Sequence, residues 1–157
     1  MKQLSIFVLV AAALLAACST GPVRRVSEPA ASIQQLTVDA QGNWSVDLRI
    51  QNYSSVAMRF ERLSLELEVG GTAAGTLQAS PQLHVSQESA DVATVTLTPS
   101  AQAKLLLADA LAAGRGTSYL LEGSLSAVPT DRGSVRDYTI KREGVLSPVP
   151  GLPGVLR

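Results

Sequence analysis

Hydrophobic and polar residues alternate with a period of two along most of the chain. The clearest run is Trp44, Val46, Leu48 and Ile50, which alternate with polar neighbours. This period places the apolar side chains on one face of a strand and the polar ones on the other. An earlier segment, from about residue 33 to 38, is shorter and less regular. The pattern therefore predicts half-buried β-strands.

A change of phase marks the next strand. Met58 and Phe60 share one phase, whereas the apolar positions from Leu63 to Val69 follow the other. A one-residue slip moves side chains to the opposite face, so we expect a bulge or kink near Glu61-Arg62. The pair Gly70-Gly71 then predicts a tight hairpin into a strand from about residue 72 to 80.

The second half of the chain predicts one helix among further strands. A strand covers about residues 92 to 97, and Thr98-Pro99 has the composition of a helix N-cap followed by the first helical residue. The expected helix runs from about Pro99 to Ala113 and ends at Gly114. Its expected apolar stripe consists of Leu105, Ala108, Leu111 and Ala112. Two more strands, 117–127 and 135–142, bring the total to about seven, which predicts a mainly β, antiparallel sandwich.

The N-terminus has the layout of an export signal. Met1-Lys2-Gln3 precede an apolar run from Leu4 to Ala17, and the chain's single cysteine, Cys18, follows. A run of about 14 residues is short for a membrane span, which needs roughly 20. The residues Leu15-Ala16-Ala17-Cys18 resemble the lipobox of bacterial lipoproteins. The alternatives are an ordinary signal peptide with an incidental cysteine, or an uncleaved helix.

The lipobox resemblance implies a processed and anchored protein. Residues 1–17 would be the signal peptide, with Leu15, Ala16 and Ala17 recognised by the signal peptidase and lipid attached to Cys18. Ser19 stands where lipoproteins retained at the inner membrane often have Asp, so the implied location is the outer membrane of the cell envelope, facing the periplasm. Two or three acyl chains make a far firmer anchor than one.

The rest of the chain divides into a tether, a body and a tail. Residues 18–31 are small, polar and interrupted by proline, which predicts a lipidated flexible tether. The body covers residues 32–147. Residues 148–157 form a proline-rich tail, which we do not expect to provide a central strand because proline donates no ladder hydrogen bond.

Composition argues against several functional classes. Lys+Arg and Asp+Glu number 13 each, so no basic field would attract nucleic acid. One Cys and one His give neither an internal disulfide nor a zinc site. The sequence also lacks a Gly-x-Ser-x-Gly elbow. We therefore expect no metal, no cofactor and no enzymatic activity.

The order of the elements resembles the type 2 late-embryogenesis-abundant family, also called the WHy (water stress and hypersensitive response) domain. The resemblance covers about residues 33 to 147, and the chain departs from the family's Asn-Pro-Asn turn by having Asn52-Tyr53-Ser54. It implies an immunoglobulin-like or fibronectin-III-like β-sandwich, a role in desiccation and stress responses, and no known cofactor. The matching stretches are 50–53, 63–71, 98–113, 119–123 and 144–146.

Two candidate positions in the body have structural alternatives. Asn52 either binds a ligand or bonds the backbone of a tight turn, and we favour the turn. His84 has no partners nearby in the sequence for metal binding or general-base catalysis. The charged row formed by Arg59, Glu61, Arg62, Glu66 and Glu68 is explained by a solvated strand face.

The sequence thus predicts a membrane-tethered, non-catalytic envelope lipoprotein. Its expected role is in desiccation or stress, through binding or shielding of other molecules. Its expected partners are the membrane, through the N-terminal lipid, and protein clients or an envelope complex. One alternative is a structural or assembly accessory that docks by strand addition. A further alternative is a small-lipid carrier, which requires an apolar cavity.

Overall fold

The computed structural model describes residues 23–157, which form nine strands and one helix within that range. The predicted export signal, the lipobox-like sequence and Cys18 lie outside the described residues. The elements are β1 (Ala30–Val38), β2 (Trp44–Gln51), β3 (Met58–Val69), β4 (Thr72–Ala79), β5 (Leu83–Val85), β6 (Ala90–Leu97), α1 (Ala101–Ala112), β7 (Thr117–Pro129), β8 (Arg136–Leu146) and β9 (Val155–Leu156).

The strands form two antiparallel sheets with the apolar core between them. The first sheet has the order β6-β2-β1-β9, and the second has the order β4-β3-β7-β8, with β5 paired to the start of β3. The prediction of a mainly β fold with two antiparallel layers and one helix is confirmed. The largest fully buried side chains come from both sheets and the helix, and they include Trp44, Phe60, Leu36, Met58, Leu107 and Leu121.

The clearest alternating patterns form the central strands. Trp44, Val46, Leu48 and Ile50 are all buried in β2, which pairs with β1 on one side and β6 on the other. The register between β3 and β7 shifts between Phe60 and Arg62, which confirms the predicted bulge. The Gly70-Gly71 hairpin between β3 and β4 is also confirmed.

The first strand begins earlier than the sequence predicts. β1 starts at Ala30, and Ala31 is buried and paired with Ile50. A register shift between Ile33 and Gln35 breaks the alternation, which explains why the segment is irregular in sequence. The predicted boundary between tether and body at residues 31 and 32 is therefore wrong by about two residues.

The predicted apolar stripe of the helix is wrong. The structure buries Ala103, Leu107 and Ala110, whereas Leu105 is 74% exposed. The polar residues of this segment, Gln102, Lys104 and Asp109, lie on the side of the helix away from these buried residues. The cap also differs, because the Ser100 hydroxyl, not that of Thr98, accepts the hydrogen bond from the Ala103 amide.

The C-terminal tail is part of the fold. Ser147 and Arg157 exchange two backbone hydrogen bonds, so the tail forms a hairpin around its prolines. Its second arm, β9, pairs with Leu36 and Thr37 of β1, and Leu156 is fully buried. The tail thus contributes β9 to the edge of the first sheet and no central strand, as the sequence predicts for this segment.

The sandwich has two chemically different ends. The loop end consists of the N-terminal segment 23–29 and the connections 52–57, 86–89 and 130–135. The helix end consists of α1, the turns at 39–43 and 70–71, and the tail at 147–154.

Candidate functional site

Asn52 organises the loop end from the inside. It follows β2 and is 1% exposed. Its Nδ2 donates to the carbonyl oxygens of Val56, Val85 and Ser86 at 2.9, 3.3 and 2.9 Å. Its Oδ1 accepts a hydrogen bond from the Ser54 amide at 2.9 Å. One buried amide therefore ties two connections together, and these contacts are those of a side chain that holds a turn.

The N-terminal segment is docked on this turn. The Arg25 amide donates to the Ser55 hydroxyl at 2.8 Å, and that hydroxyl donates to the Val23 carbonyl at 3.0 Å. The Ser27 amide donates to the Ser54 hydroxyl at 3.0 Å. The residues before β1 therefore run along the loop end in contact with the body, and residues 23–29 differ here from the flexible tether that the sequence predicts.

An ion pair completes the docking. Arg24 contacts the Asp131 carboxylate through two nitrogens at 3.0 and 3.2 Å and also donates to the Arg132 carbonyl. The side-chain hydrogen bond from Arg24, followed by that from the Arg132 amide, lowers the pKa of Asp131 to about 2. The same hydrogen bond raises the pKa of Arg24. Arg25 lies 3.5 Å from Glu88 in a second, more exposed pair.

The loop end also exposes apolar side chains. Val23 is 79% exposed, Tyr53 is 51% exposed and Val135 is 45% exposed. They come from the N-terminal segment, the turn after β2 and the loop before β8. The predicted lipidation position, Cys18, and the predicted peptidase positions, Leu15, Ala16 and Ala17, lie outside the described residues. Cys18 precedes Val23 by five residues.

The other sequence candidates are spread over the surface. His84 is exposed in β5, opposite Arg59 of β3. Among residues 23–157, no group of three or more His, Cys, Asp or Glu side chains is placed to hold a metal ion. In the predicted charged row, Arg59 pairs with Glu61 at 2.6 Å, and both side chains lie at the surface.

A polar groove on the outer face of the second sheet was not foreseen from the sequence. It has a volume of about 650 Å³ and is open to solvent, and its polar lining includes Arg62, Ser64, Gln78, Ser124, Ser126 and Asp137. Ser126 donates to the Asp137 carboxylate. These residues come from four adjacent strands, so only the strand order brings them together. The groove offers hydroxyl and amide groups to a polar ligand.

A second, more apolar cleft lies at the helix end. It has a volume of about 440 Å³ and runs between the C-terminal part of α1 and the tail hairpin. Its lining includes Leu111, Pro148, Val149, Leu152 and Pro153. The cleft exists only because the tail folds back, which the sequence did not predict.

The single helix within residues 23–157, α1, is not long and apolar enough to cross a bilayer.

Neither a protein-family model nor a curated protein matches the chain. Solved structures that are distantly similar to it include the following two. One is a crystal structure of a protein from Archaeoglobus fulgidus, with 13% identity, a TM-score of 0.42, and coverage of 80% of this chain and 98% of that one. The other is a solution structure of a protein from Arabidopsis thaliana, with 13% identity, a TM-score of 0.49, and coverage of 80% and 81%.

Proposed function

We propose that this protein is a bacterial lipoprotein, cleaved before Cys18, lipidated on that residue and held on the outer membrane facing the periplasm. The observation that carries the proposal is the lipobox-like sequence Leu15-Ala16-Ala17-Cys18 after a short apolar run. A thiol at this position is the nucleophile that such lipidation alkylates. The place where the folded body begins, a few residues later, is consistent with a membrane-proximal anchor.

We further propose that the sandwich is of the fibronectin type III kind. Without the short strands β5 and β9, the sheets have the orders β6-β2-β1 and β4-β3-β7-β8. These orders correspond to strands E-B-A and C′-C-F-G of immunoglobulin-related sandwiches. The correspondence supports the resemblance to the type 2 late-embryogenesis-abundant family, from which the proposed role in desiccation and envelope stress derives.

The proposed activity is non-catalytic binding or shielding of other molecules. The surfaces available for this work are the open polar groove of about 650 Å³ and the apolar cleft of about 440 Å³ beside α1. Both are open to solvent, so they suit contact with the surface of a client better than enclosure of a small lipid. Small surface contacts of this kind are typical of weak, transient complexes.

An assembly role remains the second proposal, and one edge of the fold favours it. β8 spans Arg136–Leu146, and its only strand partner within the described residues is β7. A long free edge can accept a strand from a partner by backbone pairing. The tail is less suited to such docking, because β9 is already paired with β1.

Mass spectrometry of the protein purified from bacterial membranes tests the anchoring directly. We expect a mature chain that begins at Cys18 and carries acyl groups, and we expect the Cys18→Ser variant to keep residues 1–17 and lack lipid. An unacylated mature N-terminus contradicts the lipoprotein proposal.

The stress role is tested in cells that lack the protein. We expect reduced survival after drying, restored by the wild-type gene and not by the Cys18→Ser variant. Crosslinking then separates the two functional proposals, since many clients favour shielding and one stoichiometric partner favours assembly. Survival equal to that of the parent strain under drying and osmotic shock contradicts a stress role.

A further inference from the structure

We propose that the loop end of the sandwich rests against the bilayer, with Val23 and Tyr53 in the interfacial layer and the helix end directed away from it. This inference rests on the proposed lipidation of Cys18. It adds an orientation, and thereby assigns the docked N-terminal segment and the exposed loop residues a common role.

The first argument is the length of chain available between lipid and body. A tether over residues 18–31 would allow the body to move tens of ångströms from the membrane. However, Val23, Arg25 and Ser27 are already bonded to the turn after β2. Only the five residues 18–22 remain between the lipid and the docked segment. Fully extended, they span at most about 18 Å, so the anchor holds the loop end close to the bilayer.

The second argument is the chemistry of the surface that this short segment holds next to the bilayer. Val23, Tyr53 and Val135 are exposed on three separate segments of the loop end. A tyrosine has an apolar ring and a polar hydroxyl, and such side chains favour the boundary between lipid tails and water. The anchor therefore brings to the membrane the side chains that are suited to its interfacial layer.

The third argument is charge. At the loop end Arg24 is paired with Asp131, and Arg25 lies 3.5 Å from Glu88, so these groups approach a headgroup layer largely neutralised. Arg132 of the loop end and Arg136 at the adjacent start of β8 form no ion pair with any of residues 23–157, and neither does the exposed Glu28 of the N-terminal segment. Free guanidinium groups at this end can bind lipid phosphates, since arginine matches phosphate with two parallel hydrogen bonds.

Tryptophan fluorescence with depth-placed quenchers tests the orientation. The probe is a chain that begins at Cys18, and hence contains every described residue. Cys18 is coupled chemically to a maleimide lipid in phosphatidylethanolamine–phosphatidylglycerol vesicles that contain lipids brominated near the glycerol. One variant carries Tyr53→Trp at the loop end. The matched control carries Leu105→Trp, at a site that is 74% exposed at the helix end. The native Trp44 is buried, and its signal is subtracted using the unsubstituted chain.

We expect brominated lipid to lower the added emission roughly twofold for Tyr53→Trp and to leave that of Leu105→Trp unchanged, because only the loop end reaches the interface. A Gly-Ser linker of about 12 residues inserted between residues 22 and 23 should reduce the quenching at position 53, because it lengthens the leash. Equal quenching at the two sites, quenching at neither, or quenching that the linker leaves unchanged would overturn the inference.

The result of the quenching experiment does not depend on whether the proposed lipidation occurs in cells. Coupling at Cys18 is imposed chemically, so quenching reports orientation whether or not cells lipidate this residue. Absence of lipid on Cys18 in cells would remove the proposed function, and absence of preferential quenching at position 53 would remove the orientation alone.

Discussion

The two ends of the sandwich are closed by different chemistry. At the loop end, a buried amide, two serine hydroxyls and an ion pair hold the connections through hydrogen bonds to backbone groups. At the helix end, α1 packs on β3 and β4 and contributes Ala103 and Leu107 to the core. A polar contact loses its stabilising effect when one partner is left without a hydrogen bond, whereas apolar packing is weakened when buried volume is removed. Substitutions at the two ends should therefore lower the stability of the protein for different reasons.

The largest effect is expected at the helix end. Leu107→Ala should lower the free energy of unfolding by about 3 kcal/mol, because the side chain is buried and its removal leaves a cavity. Urea denaturation followed by Trp44 fluorescence measures the change. Leu105→Ala is the matched control on the exposed side of the same helix and should stay within about 0.5 kcal/mol of wild type. Equal losses for the two variants would mean that both leucines are buried.

The next largest effect is expected at the loop end. Asn52→Asp places an acceptor where Nδ2 now donates to three carbonyl oxygens. It should therefore lower the free energy of unfolding by about 2 kcal/mol at neutral pH. Burial beside carbonyl oxygens raises the pKa of the new carboxyl, so the loss should grow as pH rises from 4 to 7. Gln34→Glu is the control, since Gln34 is exposed in β1. A loss that does not depend on pH would contradict this account.

A smaller effect is expected at the start of the helix. Ser100→Ala should cost about 1 kcal/mol, because it removes the acceptor for the Ala103 amide. Thr98→Ala serves as the comparison, since the Thr98 hydroxyl contacts only the Asn43 side chain at the surface. Thermal denaturation of the two variants ranks them. A larger loss for Thr98→Ala would place the cap where the sequence had predicted it.

The smallest effect on global stability is expected from Arg24→Ala, which should release the N-terminal segment and leave the core intact. Hydrogen exchange of the Arg25 and Ser27 amides, which bond Ser55 and Ser54, should become faster. Arg115→Ala breaks a comparable surface pair with Asp109 at the helix end and should leave these amides unchanged. Unchanged exchange in Arg24→Ala would show that the serine contacts suffice.

Acid should release the same segment in the unsubstituted protein. The pKa of Asp131 is lowered to about 2 from its ordinary 3.8, first by the hydrogen bond from Arg24. A carboxyl group whose pKa is lowered by folding stabilises the folded arrangement fully when the pH is above the ordinary pKa. This stabilisation is lost as the pH falls through the lowered pKa, because the carboxylate then becomes protonated. Exchange at Arg25 and Ser27, corrected for its intrinsic pH dependence, should therefore rise between pH 4 and 2. In Arg24→Ala this rise should disappear.

Local patterns predicted the central part of the fold well. The alternation in β2 and the phase change before Leu63 are set by which side chains face the core. Each buried position therefore carries an apolar residue, which can be seen in the sequence alone. The predicted helix face was wrong because it followed the Ala and Leu positions alone. The polar residues Gln102, Lys104 and Asp109 lie on the side of α1 away from the buried face, and they are the local signal for it.

Long-range contacts account for the remaining differences. Arg24 and Asp131 are separated by 107 residues, and nothing near either one in the sequence indicates the pair. Likewise, β9 is formed by pairing with Leu36 and Thr37 at the opposite end of the chain. Asn52 was identified because a short polar residue at a turn has a known local role, whereas the groove on the second sheet required the order of four strands.

The position of β1 between β2 and β9 has a mechanical consequence. β1 is the strand that continues from the N-terminal segment, so a pull transmitted from a lipid at Cys18 first loads the contacts of that segment with Ser54, Ser55 and Asp131 and reaches β1 once they break. Its backbone is bonded to β2 from Ala30 to Val38 and to β9 near its far end. If the opposite end of the molecule is held by a bound partner, the tension runs along the strand. The ladder is then loaded in shear, and its hydrogen bonds resist together instead of opening one after another.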